Sequence, residues 1–148
     1  MVLSHALRRR KLLTITSHTW FSEKYILKVN FSQGLNIRNI KENQAAALAK
    51  VNFFNINGTS KQVHFAWDDP RHEKLIHKGL KTCMDAGIKP YQMAFYVLIG
   101  YHSTPEEDLH RVEVLRSYGA NPFVMPYNKE DEYQRRFARW VNAISKFP

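Results

Sequence analysis

Two Gly-x-x-Pro sequences, Gly87–Pro90 and Gly119–Pro122, stand 32 residues apart, and each closes a helix-period stretch and leads into an apolar run. A glycine that ends a helix in the left-handed conformation, followed by a proline that cannot continue it, is a helix stop signal. Its return at a fixed distance marks a repeated supersecondary unit. The apolar runs Tyr25–Phe31, Gln62–Trp67, Met93–Ile99 and Pro122–Tyr127 begin about 30 residues apart, the spacing of β/α units in a parallel sheet. Met93–Ile99 is apolar at every position, which predicts a strand covered on both faces.

The intervening stretches carry helix punctuation. Asp69-Pro70 predicts an N-cap followed by a proline in the first turn, with Leu75, Ile76, Gly79, Leu80, Cys83 and Met84 as the apolar stripe behind it. Thr104-Pro105-Glu106-Glu107 is a capping box, and Leu109, Val112 and Leu115 are expected to face inward. Glu106, Glu107 and Asp108 complement the positive end of that helix. Gln44–Lys50 predicts a short helix, and Tyr133, Phe137, Trp140, Val141 and Ile144 the stripe of a last one. Leu12–Thr16 reads as a strand that nothing around it fixes. The chain thus reads βαβαβαβα, an α/β fold of parallel repeats with right-handed crossovers, preceded by a basic segment over 1–24.

Composition narrows the function classes. With 148 residues, 44% of them hydrophobic, the chain has the apolar content for one domain. No apolar run reaches the length of a membrane span. The one cysteine, Cys83, forms no internal disulfide and holds no zinc or iron–sulfur site by itself, which makes a cytoplasmic setting the default. The net charge of +9 is concentrated in residues 1–60, where nine basic residues face Glu23 and Glu42. That asymmetry suits an acidic partner such as nucleic acid, or simply a solvated basic tail.

In open parallel sheets ligands bind at the carboxyl ends of the strands. This rule puts Gln33–Arg38, Trp67–Asp69, Gly100–Thr104 and Tyr127–Asn128 on one face. Gln33, Gly34, Asn36 and Arg38 combine a closely approachable backbone with two amides and a guanidinium, although an ordinary strand end reads the same way. Asp68 is freer to meet a ligand than Asp69, which is needed as the cap. Gly100 allows close backbone approach, and Val124, Met125 and Pro126 offer backbone to the polar edge of a base. His72 and His77 approximate a zinc helix with one residue too many, which puts them about 140° apart on different faces. Cys83 falls on the buried stripe, as a packed thiol would.

At these same residues the sequence resembles the C-terminal half of a radical SAM core domain. The likeness runs through FSQGLNIR (Phe31–Arg38), VHFAWDDP (Val63–Pro70), Gly87–Asn128 and FARWVN (Phe137–Asn142). It implies a partial domain over 25–148, part of an open (β/α)6 TIM-like barrel that binds S-adenosylmethionine against a four-iron four-sulfur cluster. By the resemblance, Gln33, Asn36 and Arg38 lie near the cofactor's ribose and amino-acid part. Leu98 and Gly100 match the glycine-rich strand motif, with Tyr96 in place of its first glycine. Leu98 would pack on adenine, and the Val124–Pro126 backbone would meet the adenine edge. The family's C-x-x-x-C-x-x-C cluster motif is missing, and three thiolates are what such a cluster needs.

The expectation is therefore a radical SAM-like half-barrel without radical chemistry of its own, as a truncated, split or degenerate domain would be. Two alternatives stand beside it. One is an enzyme subunit completed by a partner chain or a homodimer mate; the other is a basic nucleic-acid-binding α/β module.

Overall fold

The computed structural model describes residues 28–144. The strand expected over Leu12–Thr16 and the basic segment 1–24 lie outside these residues. Among these residues three strands, β1 (Val63–Ala66), β2 (Met93–Ile99) and β3 (Asn121–Pro126), form one sheet in the order β1-β2-β3, and both pairings are parallel. Among the described residues four α-helices alternate with them: α1 (Glu42–Lys50), α2 (Glu73–Asp85), α3 (Pro105–Ser117) and α4 (Glu132–Ile144).

Both stop signals operate as read. Gly87 and Gly119 take φ of 97° and 79°. Behind α2, Ile88 N–H donates to Cys83 O and Gly87 N–H to Met84 O; behind α3, Ala120 and Gly119 repeat the pair onto Leu115 and Arg116. Each is a Schellman closure, in which two terminal carbonyls find donors beyond the helix. The apolar residue that follows, Ile88 or Ala120, is buried, and the chain turns directly into the next strand.

The expected strand over Tyr25–Phe31 does not form among the described residues. In its place stand two single parallel bridges, Val29 to Phe53 and Leu35 to Phe65. Asn30 explains part of the break, because its side-chain amide, not a backbone group, donates to Phe54 O. Gly34, at φ 74°, then turns the chain toward β1.

The two faces of the sheet differ. Val63, Phe65, Met93, Phe95, Val97, Ile99 and Val124 are buried beneath α3, which lies on β2 and β3, and α4, which lies on β3. On the opposite face His64, Tyr96 and Phe123 form a row of rings, with centroids 5.2 and 6.0 Å apart; Phe123 is 46% exposed. Met93–Ile99 is thus fully covered on one side only, contrary to its uniformly apolar sequence.

The helix stripes are narrower than their sequences suggest. In α2, Ile76, Gly79, Leu80 and Cys83 are buried, while Leu75 and Met84 are exposed. In α3, Leu109 is exposed and Asp108 and Arg111 are buried instead. In α4 the inward residues are Gln134, Ala138 and Val141, and Tyr133, Trp140 and Ile144 point outward. The common reason is that each helix touches the sheet along one line, which takes only part of a wide apolar stripe.

Each edge of the sheet ends differently. Tyr127 N–H donates to Ile99 O, so by the alternation of a strand the amides of Pro122, Val124 and Pro126 face outward. The two prolines have no N–H to leave unpaired. Asn142 of α4 takes both groups of Val124, accepting from its N–H at 2.8 Å and donating to its carbonyl at 3.0 Å. The β3 edge is therefore closed to further pairing.

Gly79 sets the distance between α2 and the turn Ile37–Asn39, because a Cβ at this position would collide with the Ile37 carbonyl. Gly79→Ala raises helix propensity by about 1 kcal/mol but forces these elements apart. It is expected to destabilise the chain by about 1–3 kcal/mol, measured as a lower urea midpoint at unchanged slope.

Candidate functional site

A cleft of about 190 Å³ opens at the carboxyl end of β1, lined by Gly34, Leu35, Asn36, Arg38, Ala66, Trp67, Asp68, Asp69 and His72. Three segments build it. Strand β1 ends at Ala66 and delivers Trp67 and Asp68 to the rim. Asp69 caps the following 3-10 turn, Pro70–His72, by accepting from Arg71 N–H at 2.9 Å, and this places His72 at the cleft wall. From the other side, Leu35 N–H donates to His64 O at 2.7 Å, and Asn36 caps the turn that carries Arg38.

The cleft holds charge of both signs. Arg38 donates from Nε to Asn36 Oδ1 at 3.1 Å and from Nη1 to His72 Nδ1 at 3.1 Å. Neither partner is a carboxylate, and no carboxylate pairs with this guanidinium among the described residues. Asp68 is exposed, and its carboxylate has no ion-pair or hydrogen-bond partner among the described residues. Asp69 is already engaged: the Arg71 guanidinium, at 2.6 Å, holds its carboxyl far below the usual range. A guanidinium with no carboxylate partner and a carboxylate with no cation line the same cleft, which suits a ligand that carries both a carboxylate and an ammonium.

The rim is held from beneath by a buried ion pair. Arg111 and Asp108 are both fully buried and meet at 2.6 Å. Arg111 also donates to the carbonyls of Trp67, Asp68 and Leu98, at 2.9, 3.2 and 2.9 Å. One guanidinium thereby ties the carboxyl ends of β1 and β2 together. Asp108 also accepts from Ser103 Oγ at 2.6 Å and from Tyr133 Oη at 3.3 Å. Burial, with Asp108 alongside, pushes the Tyr133 phenol well above its ordinary value, so it remains a donor. Asp108 is thus a core acceptor and not the exposed helix-end acid that its place in the first turn suggested.

The residues singled out from the sequence divide into two groups. Gly34, Asn36, Arg38 and Asp68 line the cleft, and Gln33 lies exposed beside it. Leu98, Gly100, Val124, Met125 and Pro126 occupy the ends of β2 and β3 and do not line it. At Gly100 a Cβ would collide with the Gln134 carboxamide. This glycine, at φ 73°, admits a neighbouring side chain. Val124 has both backbone groups on Asn142, and Pro126 has no N–H to offer an adenine edge. Leu98 and Met125 are register neighbours on the less covered face.

Sequence reasoning missed the roles of His72 and Arg111, and it placed Tyr101 and Tyr127 on the functional face without pairing them. His72 was weighed only as half of a zinc pair, yet it lies one turn beyond Asp69, and that spacing points it back at the strand end. Arg111 is hidden because a lone arginine in a charged helix reads as surface. Tyr101 and Tyr127, exposed with ring centroids 4.7 Å apart, form an aromatic pair on the tips of β2 and β3. His102 beside them takes φ of 52° without being glycine, an uncommon backbone state.

The residues do not fit a four-iron four-sulfur cluster. Cys83 is buried within α2, and burial pushes its thiol up to about 12. No group of three His, Cys, Asp or Glu side chains is gathered for a metal ion among the described residues. His72 and His77 point to different surroundings, as their spacing implied. His77 contacts Tyr118 Oη at 2.6 Å and Glu73 at 3.3 Å, and His110 contacts the same Glu73 oxygen at 3.0 Å.

Two outcomes follow from these contacts. Arg111→Met leaves Asp108 buried without its cation, and is expected to cost about 3–5 kcal/mol in urea unfolding. Glu73 is held below its ordinary value of 4.5, chiefly by the hydrogen bond from His110, against partial burial and with a smaller part from His77. A carboxyl depressed in the folded state stabilises above its unfolded pKa, and this contribution is lost as pH falls through the folded one. Thermal unfolding at stepped pH is expected to show a loss below about pH 4.5 that Glu73→Gln flattens.

No family model, curated protein or solved structure matches the chain, so its functional reading rests on this geometry and on the sequence.

Proposed function

We propose that the chain is a partial radical SAM-like domain whose carboxyl rim binds S-adenosylmethionine or a ligand of the same zwitterionic class, and that it generates no radical by itself. The observation that carries this reading is the convergence of Gly34, Asn36, Arg38 and Asp68 in one cleft at the end of β1. In this reading Arg38 takes the ligand carboxylate, Asp68 its ammonium, and the Asn36 amide nitrogen a ribose hydroxyl. The cleft is smaller than the about 300–1,000 Å³ of sites that enclose a drug-sized molecule. It therefore holds the amino-acid end, and the remainder of the ligand lies along the rim toward β2. The missing thiolates confine the assignment to binding.

The parallel strands in chain order, with helices α3 and α4 packed on one face of the sheet, support the finer reading of the fold as part of an open (β/α)6 barrel. The row His64–Tyr96–Phe123 on the other face would then line the barrel interior. That half-uncovered face favours the alternative of a subunit completed by a partner chain.

Isothermal titration of the full chain with S-adenosylmethionine tests the proposal. Saturable binding is expected, weakened about tenfold or more in Arg38→Ala, as loss of a charge-assisted contact implies. Asp68→Asn is expected to weaken S-adenosylmethionine while leaving a ligand that lacks the ammonium unaffected. Absence of saturable heat at millimolar ligand, or equal affinity in Arg38→Ala, sinks the reading.

A further inference from the structure

A guanidinium has donors only and no lone pair with which to accept. Arg38 Nη1 nevertheless stands 3.1 Å from His72 Nδ1 and 3.4 Å from its Nε2. The ring must therefore be the acceptor, and only an uncharged imidazole can accept, because both nitrogens of the imidazolium carry hydrogens. The two residues reach the cleft wall from separate turns, Ile37–Asn39 and Pro70–His72, and both are half-buried. Arg38 Nε is engaged by Asn36, and Nη2 has no hydrogen-bond partner among the described residues. The cation of the cleft thus rests on a side chain whose own charge is set by pH between about 5 and 8.

We infer that His72 is a second carboxylate contact of the cleft and that a carboxylate ligand enters together with a proton. The inference rests on the reading of Arg38 as the residue that takes the carboxylate. When His72 gains a proton from solution, its bond from Arg38 is lost and two cations stand side by side. A carboxylate between them resolves this, because it accepts from the guanidinium and from the imidazolium at once, through charge-assisted bonds stronger than the neutral one they replace. The other charged groups around the ring leave that role open. On its own turn, the Asp69 carboxylate is held by Arg71. On α2, Glu73 is engaged by His77 and His110. On α3, Asp108 and Arg111 neutralise each other. Asp68 lines the same cleft but is exposed and makes no bond to the ring. Carboxylate affinity therefore rises as pH falls through the range in which imidazole becomes charged, and by reciprocity the bound carboxylate favours the protonated ring.

Titration of the full chain with sodium formate, followed on the backbone amide resonance of Arg38, tests this at about pH 5.5 and about pH 8. Formate stays ionised at both and has no ammonium for Asp68 to hold. Binding about fivefold or more tighter at the lower pH is expected. His72→Gln keeps an acceptor for Arg38 but cannot be charged, and its affinity is expected to be the same at both. At neutral pH, formate is expected to move the His72 Cε1–H signal of the unaltered chain toward its protonated position, a readout that stands even where His72→Gln does not fold. Equal affinity at the two pH values, a His72→Gln chain that keeps the original dependence, or a ring signal that formate leaves in place overturns the inference. So does a chain that binds no formate. A chain that takes formate in this pH-dependent way and ignores S-adenosylmethionine removes the S-adenosylmethionine reading and leaves this one standing.

Discussion

The buried pair of Asp108 and Arg111 is the constraint on which the rim depends. Carbonyls at the end of a parallel strand have no partner strand beyond them, and left buried they cost free energy. Arg111 meets three of them at once, from β1 and from β2. A lysine would present a single ammonium and would not span both strand ends in this planar fashion. Asp108 neutralises the guanidinium, and Ser103 and Tyr133 then satisfy the remaining lone pairs of Asp108. A buried ion pair is rarely a net gain in stability over well-packed apolar residues. Its contribution here is geometric, because it fixes where Asp68 leaves β1.

That placement explains why the cleft lies at β1 and not at β2 or β3. The tips of β2 and β3 are occupied by the protein's own groups. Gln134 fills the space over Gly100 and accepts from Asn128 N–H. Ser103 accepts from Gly100 N–H at 3.2 Å, and Thr104 with Glu107 closes the start of α3 as a reciprocal cap. At β1 the corresponding helix start is displaced by the 3-10 turn Pro70–His72. The Asp69 carboxylate turns to Arg71, and the space between Asp68 and Arg38 stays open.

Where sequence reasoning succeeded, the signal was local and its physics short-range. The Gly-x-x-Pro stops and the Thr104 box concern hydrogen bonds within a few residues and formed as read, whereas Asp69 caps a 3-10 turn ahead of α2 and not α2 itself. The carboxyl-end rule likewise grouped Arg38 with Asp68 across 30 positions, because parallel pairing leaves few ways to bring the two segments together. What sequence did not reveal depends on the width of contact between layers. Leu109, Trp140 and Tyr133 read as core because they keep helical spacing, but spacing cannot say how many members of a stripe a neighbour covers. Arg111 was invisible for the opposite reason: a charged residue is buried only when its partners converge, and those partners lie on three separate segments.

The edges and faces of the sheet limit how this chain can associate. The β3 edge offers no amide to pair, since Pro122 and Pro126 lack one and Asn142 holds Val124. Strand addition is therefore confined to the β1 side, where Leu35 makes a single bridge. Parallel sheets are rarely left open on one face, and in the row His64–Tyr96–Phe123 the first two rings are half-buried while Phe123 is exposed.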